Sequence, residues 1–291
     1  MSARLISGKE IAAAVRARVA EGVAAFVAEG HRTPGLATVL VGDDPASAVY
    51  VAGKQRACEE VGMQAFDVRI GADATQQQVA AEVERLGADA AVSGILVQLP
   101  LPDQLDGDTL TALVAPAKDV DGLTPQNAGL LALGRPGLRP CTPAGVMEML
   151  RASDIDPAGM EAVVIGRSNL FGKPMAQLLL QANATVTVCH SRTRDLAAVC
   201  SRADLLIAAT GRPRMVTADY VREGAVVIDV GISRIDPAEA GNKSGIVGDV
   251  DFAAVSERAA AISPVPGGVG PMTIAMLLSN TLQAARAAVK S

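Results

Sequence analysis

Residues 43–62, DDPASAVYVAGKQRACEEVG, set Ser47, Tyr50 and Lys54 on one face of a helix, at spacings of three and four. A lysine among Val51, Ala52 and Ala57, near a sheet edge, has its ammonium destabilised by burial. Its pKa then falls towards neutrality, which acid–base work requires. A solvated surface lysine is the alternative. Tyr50, one turn earlier and one of two tyrosines, favours chemistry. GILVQLPLP (94–102) ends an apolar strand in Gln98, between Val97 and Leu99. An amide there has to be satisfied by backbone, by ligand or by a catalytic group.

KDVDG (118–122) brings Asp119 and Asp121 onto one turn. The remaining oxygens and glycine spacing of a calcium loop are missing, which leaves turn formation or recognition of a donor-rich heterocycle. SPVPGGVGPMT (263–273) carries three glycines and three prolines into the last helix. Such a loop can wall a flat ligand with backbone groups and open a helix with anion-binding polarity.

EAVVIGRSNLFGKPMAQLLL (161–180) reads as strand, glycine turn and helix, the geometry that sets phosphates against free N–H groups. Gly166 is followed by Arg167 and Ser168, and the next glycine is Gly172, so the spacing departs from G-x-G-x-x-G. The next strand, in ATVTVCHSRT (184–193), ends in His190, Ser191 and Arg192 rather than in the acid that binds the ribose of NAD. Arg167 and Arg192 suit a 2′-phosphate, with Ser191 donating a hydrogen bond, and favour NADP. LLIAATG (205–211) and VVIDVGIS (226–233) end in small residues at the carboxyl side of a parallel sheet, where ligands bind. Structural turns have the same look.

The elements that position these residues alternate. A helix is predicted over 7–30, from Ile11, Val15, Val19, Val23 and Val27. Strands follow at 36–42, 64–70 and 91–97, with helices to about 62 and over 75–87. Apolar strands between helices imply a parallel sheet covered on both faces. Residues 100–145 are rich in Pro, Gly and Asp and suggest a domain junction with a cleft. A second α/β unit is predicted from strands at 160–165, 184–189, 204–209 and 225–230 and a helix over 172–182. A last helix runs over 271–290, with Pro271 at its start.

The 291 residues are 49% hydrophobic and 20% charged, enough for a large core and unlike a disordered chain. A net charge of −5 and 2% aromatics give neither a basic patch nor a base-stacking platform, so no nucleic-acid partner is expected. The four cysteines have no zinc or disulfide spacing and read as reduced thiols; no metal is expected. No apolar run is long enough to span a membrane, and charges interrupt the N-terminus before a signal core forms. A cytoplasmic small-molecule protein is expected.

These segments together resemble the bifunctional methylenetetrahydrofolate dehydrogenase/methenyltetrahydrofolate cyclohydrolase family. VGDDPASAVYVAGK, GILVQLPLP, KDVDG, PCTPAG, VIGRSNLFGKP, TVCHSRT, DVGI, GDVDF and PVPGGVGPMT run in the family's order, and ISGKEIA extends the match to residue 6. The resemblance implies an α/β fold with two domains facing a deep cleft. These are an N-terminal catalytic domain (1–140) and a Rossmann-like NADP-binding domain (141–270), with the last helix (271–291) returning to the first.

It implies Lys54 as the central catalytic residue, Gln98 as its assistant, Tyr50 bounding the folate and Asp121 holding the pterin. Ser47, Val97 and Leu99, with Pro266, Gly267, Gly268, Val269 and Gly270, fall at folate-binding positions. Gly166, Arg167, Ser168, Ser191 and Ile232 would bind NADP, with Thr142 near the nicotinamide. Tetrahydrofolate one-carbon derivatives and a second copy of the chain are the implied partners. Phe171 stands where the family usually has a smaller aliphatic residue, and Ser263 where threonine is common. A shikimate-dehydrogenase-like enzyme is the alternative, and a non-catalytic NADP or folate sensor a further one.

Overall fold

A computed structural model describes residues 3–290, except the side chains of Pro45, Ala46, Ala48 and Val49. The chain forms two compact units: Ala13–Cys141 with Ile274–Ser291, and Met1–Ala12 with Thr142–Thr273.

In chain order the first elements are β1 (Arg4–Leu5), α1 (Gly8–Ala28), β2 (Gly35–Val41), α2 (Pro45–Glu60), β3 (Gln64–Ile70), α3 (Gln76–Ala88) and β4 (Gly94–Val97). Short helices α4 (Gly107–Ala112) and α5 (Pro125–Ala132) precede α6 (Cys141–Ala152). Then come β5 (Glu161–Ile165), α7 (Gly172–Gln181), β6 (Thr185–Cys189), α8 (Leu196–Cys200), β7 (Leu205–Ala208) and β8 (Val226–Asp229). β9 (Ser233–Arg234), α9 (Pro237–Ala240), β10 (Ile246–Val247), α10 (Phe252–Ser256), β11 (Ala261–Ile262) and α11 (Val269–Ala288) complete the chain.

The unit around Ala13–Cys141 is built on a three-stranded parallel sheet, order β3-β2-β4. Every residue of β2 and β4 is buried, the pattern of a parallel sheet shielded on both faces. Ala37, Val39 and Val41 pack with Ile95, Val79, Val83 and Leu86 in one core. Local chemistry fixes the helices. Asp44 caps α2 by accepting the Ser47 N–H at 2.7 Å, with Pro45 in the first turn. Thr75 and Gln78 form a capping box at α3. β4 begins at Gly94, later than the predicted 91, because Ala91 and Val92 form a turn on Asp89. Gly94 itself has no room for a side chain, since a Cβ would lie 2.4 Å from Val120.

The other unit carries a six-stranded parallel sheet, order β1-β11-β8-β7-β5-β6. Leu206, Val163, Val227 and Ile262 anchor its core. Strand order reverses between β6 and β7, which lie on opposite sides of β5. That leaves a topological switch point at the carboxyl ends of β5 and β7. Residues before Ala13 group with this unit: β1 pairs with β11, and the Ile6 N–H bonds Ile262 O at 2.9 Å. The periodicity of α1 runs unbroken through this division, so no pattern in the sequence marks it.

Residues from Ile274 onward group with the Ala13–Cys141 unit. There Asn280, buried on α11, donates to Val120 O and Arg139 O, both at 2.8 Å. These carbonyls flank the turn that holds Asp121, so one amide of the last helix ties down that turn. Asn280→Ala removes both bonds and leaves the Val120 carbonyl only the weak Cys141 thiol donor, which should cost about 1–3 kcal/mol in urea denaturation. A change below about 0.5 kcal/mol would show that the amide does not hold the turn.

Candidate active site

The catalytic candidates Lys54, Gln98 and Asp121 lie in the Ala13–Cys141 unit. α2 carries Lys54 inward, only 9% exposed. β4 ends at Val97, and the Gln98 N–H continues the ladder by donating to Val39 O at 2.9 Å. The Gln98 amide is oriented from both sides: Nε2 donates to Leu99 O at 2.6 Å, and Oε1 accepts from Lys54 Nζ at 2.7 Å. Burial holds Lys54 below the usual lysine range, while the charges of Asp121 and Cys141 oppose that fall. Asp121 shifts the other way: burial raises its carboxyl, Lys54 pulls it down and Asp119 adds to the rise. For both partners burial outweighs attraction, so the site favours neutral forms.

The two carboxylates of KDVDG have separate tasks. Asp119 is buried and wholly occupied: Oδ1 accepts from Leu123 N–H at 3.0 Å, Oδ2 from Thr124 N–H and Asn127 Nδ2, both at 2.8 Å. It is the turn former, and Asp121 is the carboxylate left for chemistry. Gly122 follows at φ 72°, and a Cβ there would meet the Arg139 carbonyl carbon at 2.5 Å. That approach sets Cys141 beneath the turn, its Sγ donating to Val120 O at 3.2 Å. Burial, then Asp121, pushes the Cys141 thiol well above its usual range, so it stays protonated. Cys141 and Asn280 were not candidates, because a lone buried thiol and a helix amide have no local signature.

Ser47, Tyr50 and Lys54 do not share one environment. Ser47 and Lys54 are buried, whereas Tyr50 is 50% exposed. Val97 is buried and Leu99 half-buried beside Gln98.

Gly166, Arg167, Ser168 and Ser191 come together in the other unit, lining a cavity of ≈ 540 Å³ at the ends of β5, β6 and β7. His190, Thr193, Ala209, Thr210, Arg212 and Tyr220 are among its further walls. Gly166 has φ 132°, and a Cβ on it would lie 2.4 Å from Ala209 O; one on Gly172 would lie 2.2 Å from Gly166 O. Only glycine lets strand, turn and helix close this tightly, which forms a backbone cradle for phosphates. Ser168 Oγ accepts the Phe171 N–H at 3.1 Å, and the Phe171 ring is buried at the start of α7.

The cavity wall carries Arg167 and Arg212. Arg192 sits on the exposed turn after β6, its N–H donating to His190 Nδ1 at 3.2 Å. Ile232 is 52% exposed, and Thr142 Oγ1 lies 3.0 Å from Thr273 Oγ1. Pro266 to Gly270 belong to this same unit. Gly267 O accepts the Lys9 N–H at 2.9 Å, a Cβ on Gly8 would collide with Gly268 O, and one on Gly268 would collide with Pro264 O.

Two buried carboxylates, Asp229 and Asp249, hold loops of this unit. Asp229 accepts N–H groups of Gly231, Asp249 and Val250, at 2.9, 2.9 and 3.0 Å. Ser263 Oγ accepts the Asp229 N–H at 2.8 Å, a bond that a threonine would also make. Asp249 accepts the Thr210 and Gly211 N–H groups at 2.5 and 3.0 Å. Neither carboxylate was a candidate; the one hint is that each neighbours a glycine motif, DVG and GDVD.

An α/β chain with a nucleotide cradle at a switch point and a buried lysine–amide pair is, in class, a nucleotide-dependent enzyme with an acid–base centre. The chain belongs to the tetrahydrofolate dehydrogenase/cyclohydrolase family. The family's catalytic domain matches residues 6–121, and its NAD(P)-binding domain matches residues 140–289. The chain is 58% identical over 290 residues to the bifunctional protein FolD 2 of Frankia alni, covering 100% of this chain and 98% of that one.

Among solved structures, a bifunctional dehydrogenase/cyclohydrolase from Campylobacter jejuni is 45% identical at TM-score 0.94, covering 99% of this chain and 100% of that one. A Trypanosoma brucei dehydrogenase-cyclohydrolase complexed with NADP cofactor and inhibitor is 39% identical at TM-score 0.93, over 100% of both chains. A shikimate 5-dehydrogenase from Thermus thermophilus, 16% identical at TM-score 0.51, shares the fold alone.

Burial pushes the Asp229 carboxyl up to about 7, against the pull of its three N–H donors and with the nearby Asp249 charge adding to the rise. The folded chain therefore keeps a proton that the unfolded chain releases between the ordinary carboxylate range and about 7. The stability contributed by that proton is largest in acid and disappears as pH rises through this window. Wild type should therefore lose stability relative to Asp229→Asn between roughly pH 4 and 7, read as a Tm difference that changes across this window. A Tm difference that stays constant with pH would show that Asp229 does not titrate there.

Proposed function

We propose that this chain oxidises 5,10-methylenetetrahydrofolate to 5,10-methenyltetrahydrofolate with NADP and hydrolyses the product to 10-formyltetrahydrofolate. The observation that carries this is the 2.7 Å Lys54–Gln98 hydrogen bond, with the lysine held below its usual range by burial. NADP, when bound, accepts the hydride lost by the methylene carbon. That loss leaves a methenyl cation, and a charged ammonium beside it would oppose the reaction; a neutral Lys54 does not.

In the hydrolysis, Lys54 Nζ takes a proton from water as its oxygen adds to the methenyl carbon. The same proton returns to folate N5 as the carbon–N5 bond breaks, and the hydroxyl proton passes to Lys54 and on to water as the formyl C=O forms, so one proton leaves overall. Gln98 Oε1 accepts a lysine N–H and so aims the nitrogen lone pair. Asp121 recognises donors of the pterin, and the exposed Tyr50 bounds the ring, with Ser47, Val97 and Leu99 on the folate side. Pro266, Gly267, Gly268, Val269 and Gly270 supply further folate-binding backbone. Gly166, Arg167, Ser168, Ser191, Arg192, Ile232 and Thr142 hold NADP, the arginines reading its 2′-phosphate. The cradle at Gly166 supports this: a Cβ there would collide with Ala209 O, so only glycine lets the turn fold against the neighbouring strand end and open onto the helix N-terminus that suits phosphate.

The chain works in the cytoplasm as a homodimer. Support for self-association comes from the sheet edge: β6 is a terminal strand, with Val188 40% exposed and Leu180 of the adjacent α7 59% exposed. Among the described residues no helix is long and apolar enough to cross a membrane.

The test is a two-wavelength absorbance assay with methylenetetrahydrofolate and NADP. Reduced cofactor should form with little methenyl accumulation; methenyl rising in step with reduced cofactor would exclude the hydrolytic step. Lys54→Ala should lower the hydrolysis by about 10²–10⁴-fold while NADP affinity, measured by calorimetry, stays near wild type. Loss of NADP binding with intact hydrolysis would reverse the assignment. Arg167→Ala should weaken NADP about tenfold or more and NAD much less. Equal losses would show that Arg167 does not read the 2′-phosphate.

A further inference from the structure

The loop after β7 forms one side of the nucleotide cavity, through Thr210, Arg212 and Met215. Its backbone leaves the sheet at Ala209, whose N–H makes the last ladder bond, to Ile165 O at 2.9 Å. The next two N–H groups, of Thr210 and Gly211, both turn to a single oxygen, Oδ2 of Asp249, at 2.5 and 3.0 Å. Thr210 Oγ1 then accepts the Arg212 N–H at 3.1 Å, and Gly211 takes φ 66° to make the turn.

The far end of the loop is tied to the same segment. Arg214 N–H bonds Gly248 O at 3.0 Å and Val216 N–H bonds Asp249 O at 2.9 Å. Asp249 is fully buried and fixed in its turn by Asp229, which accepts the Asp249 N–H at 2.9 Å. Neighbouring glycines make this packing obligatory: a Cβ on Gly248 would lie 1.9 Å from Asp229 Oδ2, and one on Gly231 would lie 2.3 Å from the Asp249 carboxyl carbon.

We infer that Asp249 is a positioning residue for NADP: its carboxylate and backbone clamp both ends of the 210–216 loop and present Arg212 to the cofactor phosphates opposite Arg167. Among the described residues Oδ1 has no hydrogen-bond partner, and Oδ2 carries both loop bonds. One acceptor atom at that point is therefore what the loop requires. The inference rests on the proposed NADP-dependent function.

The side chain that results from Asp249→Asn keeps such an acceptor, with its amide nitrogen in the place of the unpartnered oxygen; Asp249→Ala keeps none. Calorimetric NADP titration should show Asp249→Ala weakened about tenfold or more, the loss falling on KM for NADP rather than on kcat. Asp249→Asn should restore most of the affinity. Arg212→Gln alters only an exposed side chain and remains informative if Asp249→Ala does not fold; it should also weaken NADP about tenfold. Wild-type affinity in folded Asp249→Ala, equal losses in Asp249→Ala and Asp249→Asn, or unchanged affinity in Arg212→Gln would each overturn the inference. Wild-type protein that binds NADP but does not oxidise the folate would overturn the proposed function and leave the clamp standing. Wild-type protein that binds no NADP would overturn both.

Discussion

A lysine ammonium taken out of water loses hydration that one hydrogen bond to a neutral amide does not replace, so it gives up its proton more readily. The site around Lys54 is arranged to maintain that condition. α2 is started by the Asp44 cap and Pro45, which set the helix phase that turns Lys54 inward. β4 delivers Gln98 at the end of a fully buried strand, and the Leu99 carbonyl fixes which end of its amide meets the lysine. An ionised Asp121 alone would restore the ammonium, but burial raises that carboxyl as well. The same desolvation acts on both partners, and a lysine held in this way fits the role proposed for it beside a cationic intermediate.

The scaffold around this pair is largely backbone held by buried polar side chains. Asp119 satisfies three donors of the Val120–Asn127 region, and Asn280 binds two of its neighbouring carbonyls. The nucleotide unit repeats the device with Asp229 and Asp249, each of which collects loop N–H groups that the sheet cannot reach. The Asp121 turn and the loops around the nucleotide cavity have no ladder of their own, and carboxylates or amides beneath them supply the rigidity that loops lack. Glycine supplies the rest at Gly166 and Gly248, where any side chain would collide with backbone or carboxylate.

Much of this was legible in the sequence for physical reasons. Period-four apolar spacing and short buried strands revealed the alternating α/β order. The stranded amide of Gln98 calls for a partner and finds Lys54 at 2.7 Å, whereas the helix face shared by Tyr50 and Lys54 splits into an exposed and a buried position. What escaped notice depended on tertiary contact. Cys141 looks like any core thiol until the Gly122 turn brings it under Asp121, and Asp249 lies 39 residues from the Thr210 amide it holds. Arg167 and Arg212 line one cavity, whereas Arg192 lies on the exposed turn after β6; the place of Arg212, just past the ATG turn, comes from the fold of the 210–216 loop and not from its spacing in the chain. The grouping of residues 1–12 with the nucleotide unit was equally hidden, because strand pairing of β1 with β11 joins segments at opposite ends of the chain.

The protonation of one amine, Lys54, governs this site. The most direct measurement is an NMR titration of the protein labelled at its lysine side chains, with the Lys54 resonance identified by its absence in Lys54→Ala. Lys54 should release its proton at clearly lower pH than the solvent-exposed lysines of the same spectrum. Titration of Lys54 together with those lysines, near the ordinary value of about 10.4, would contradict it.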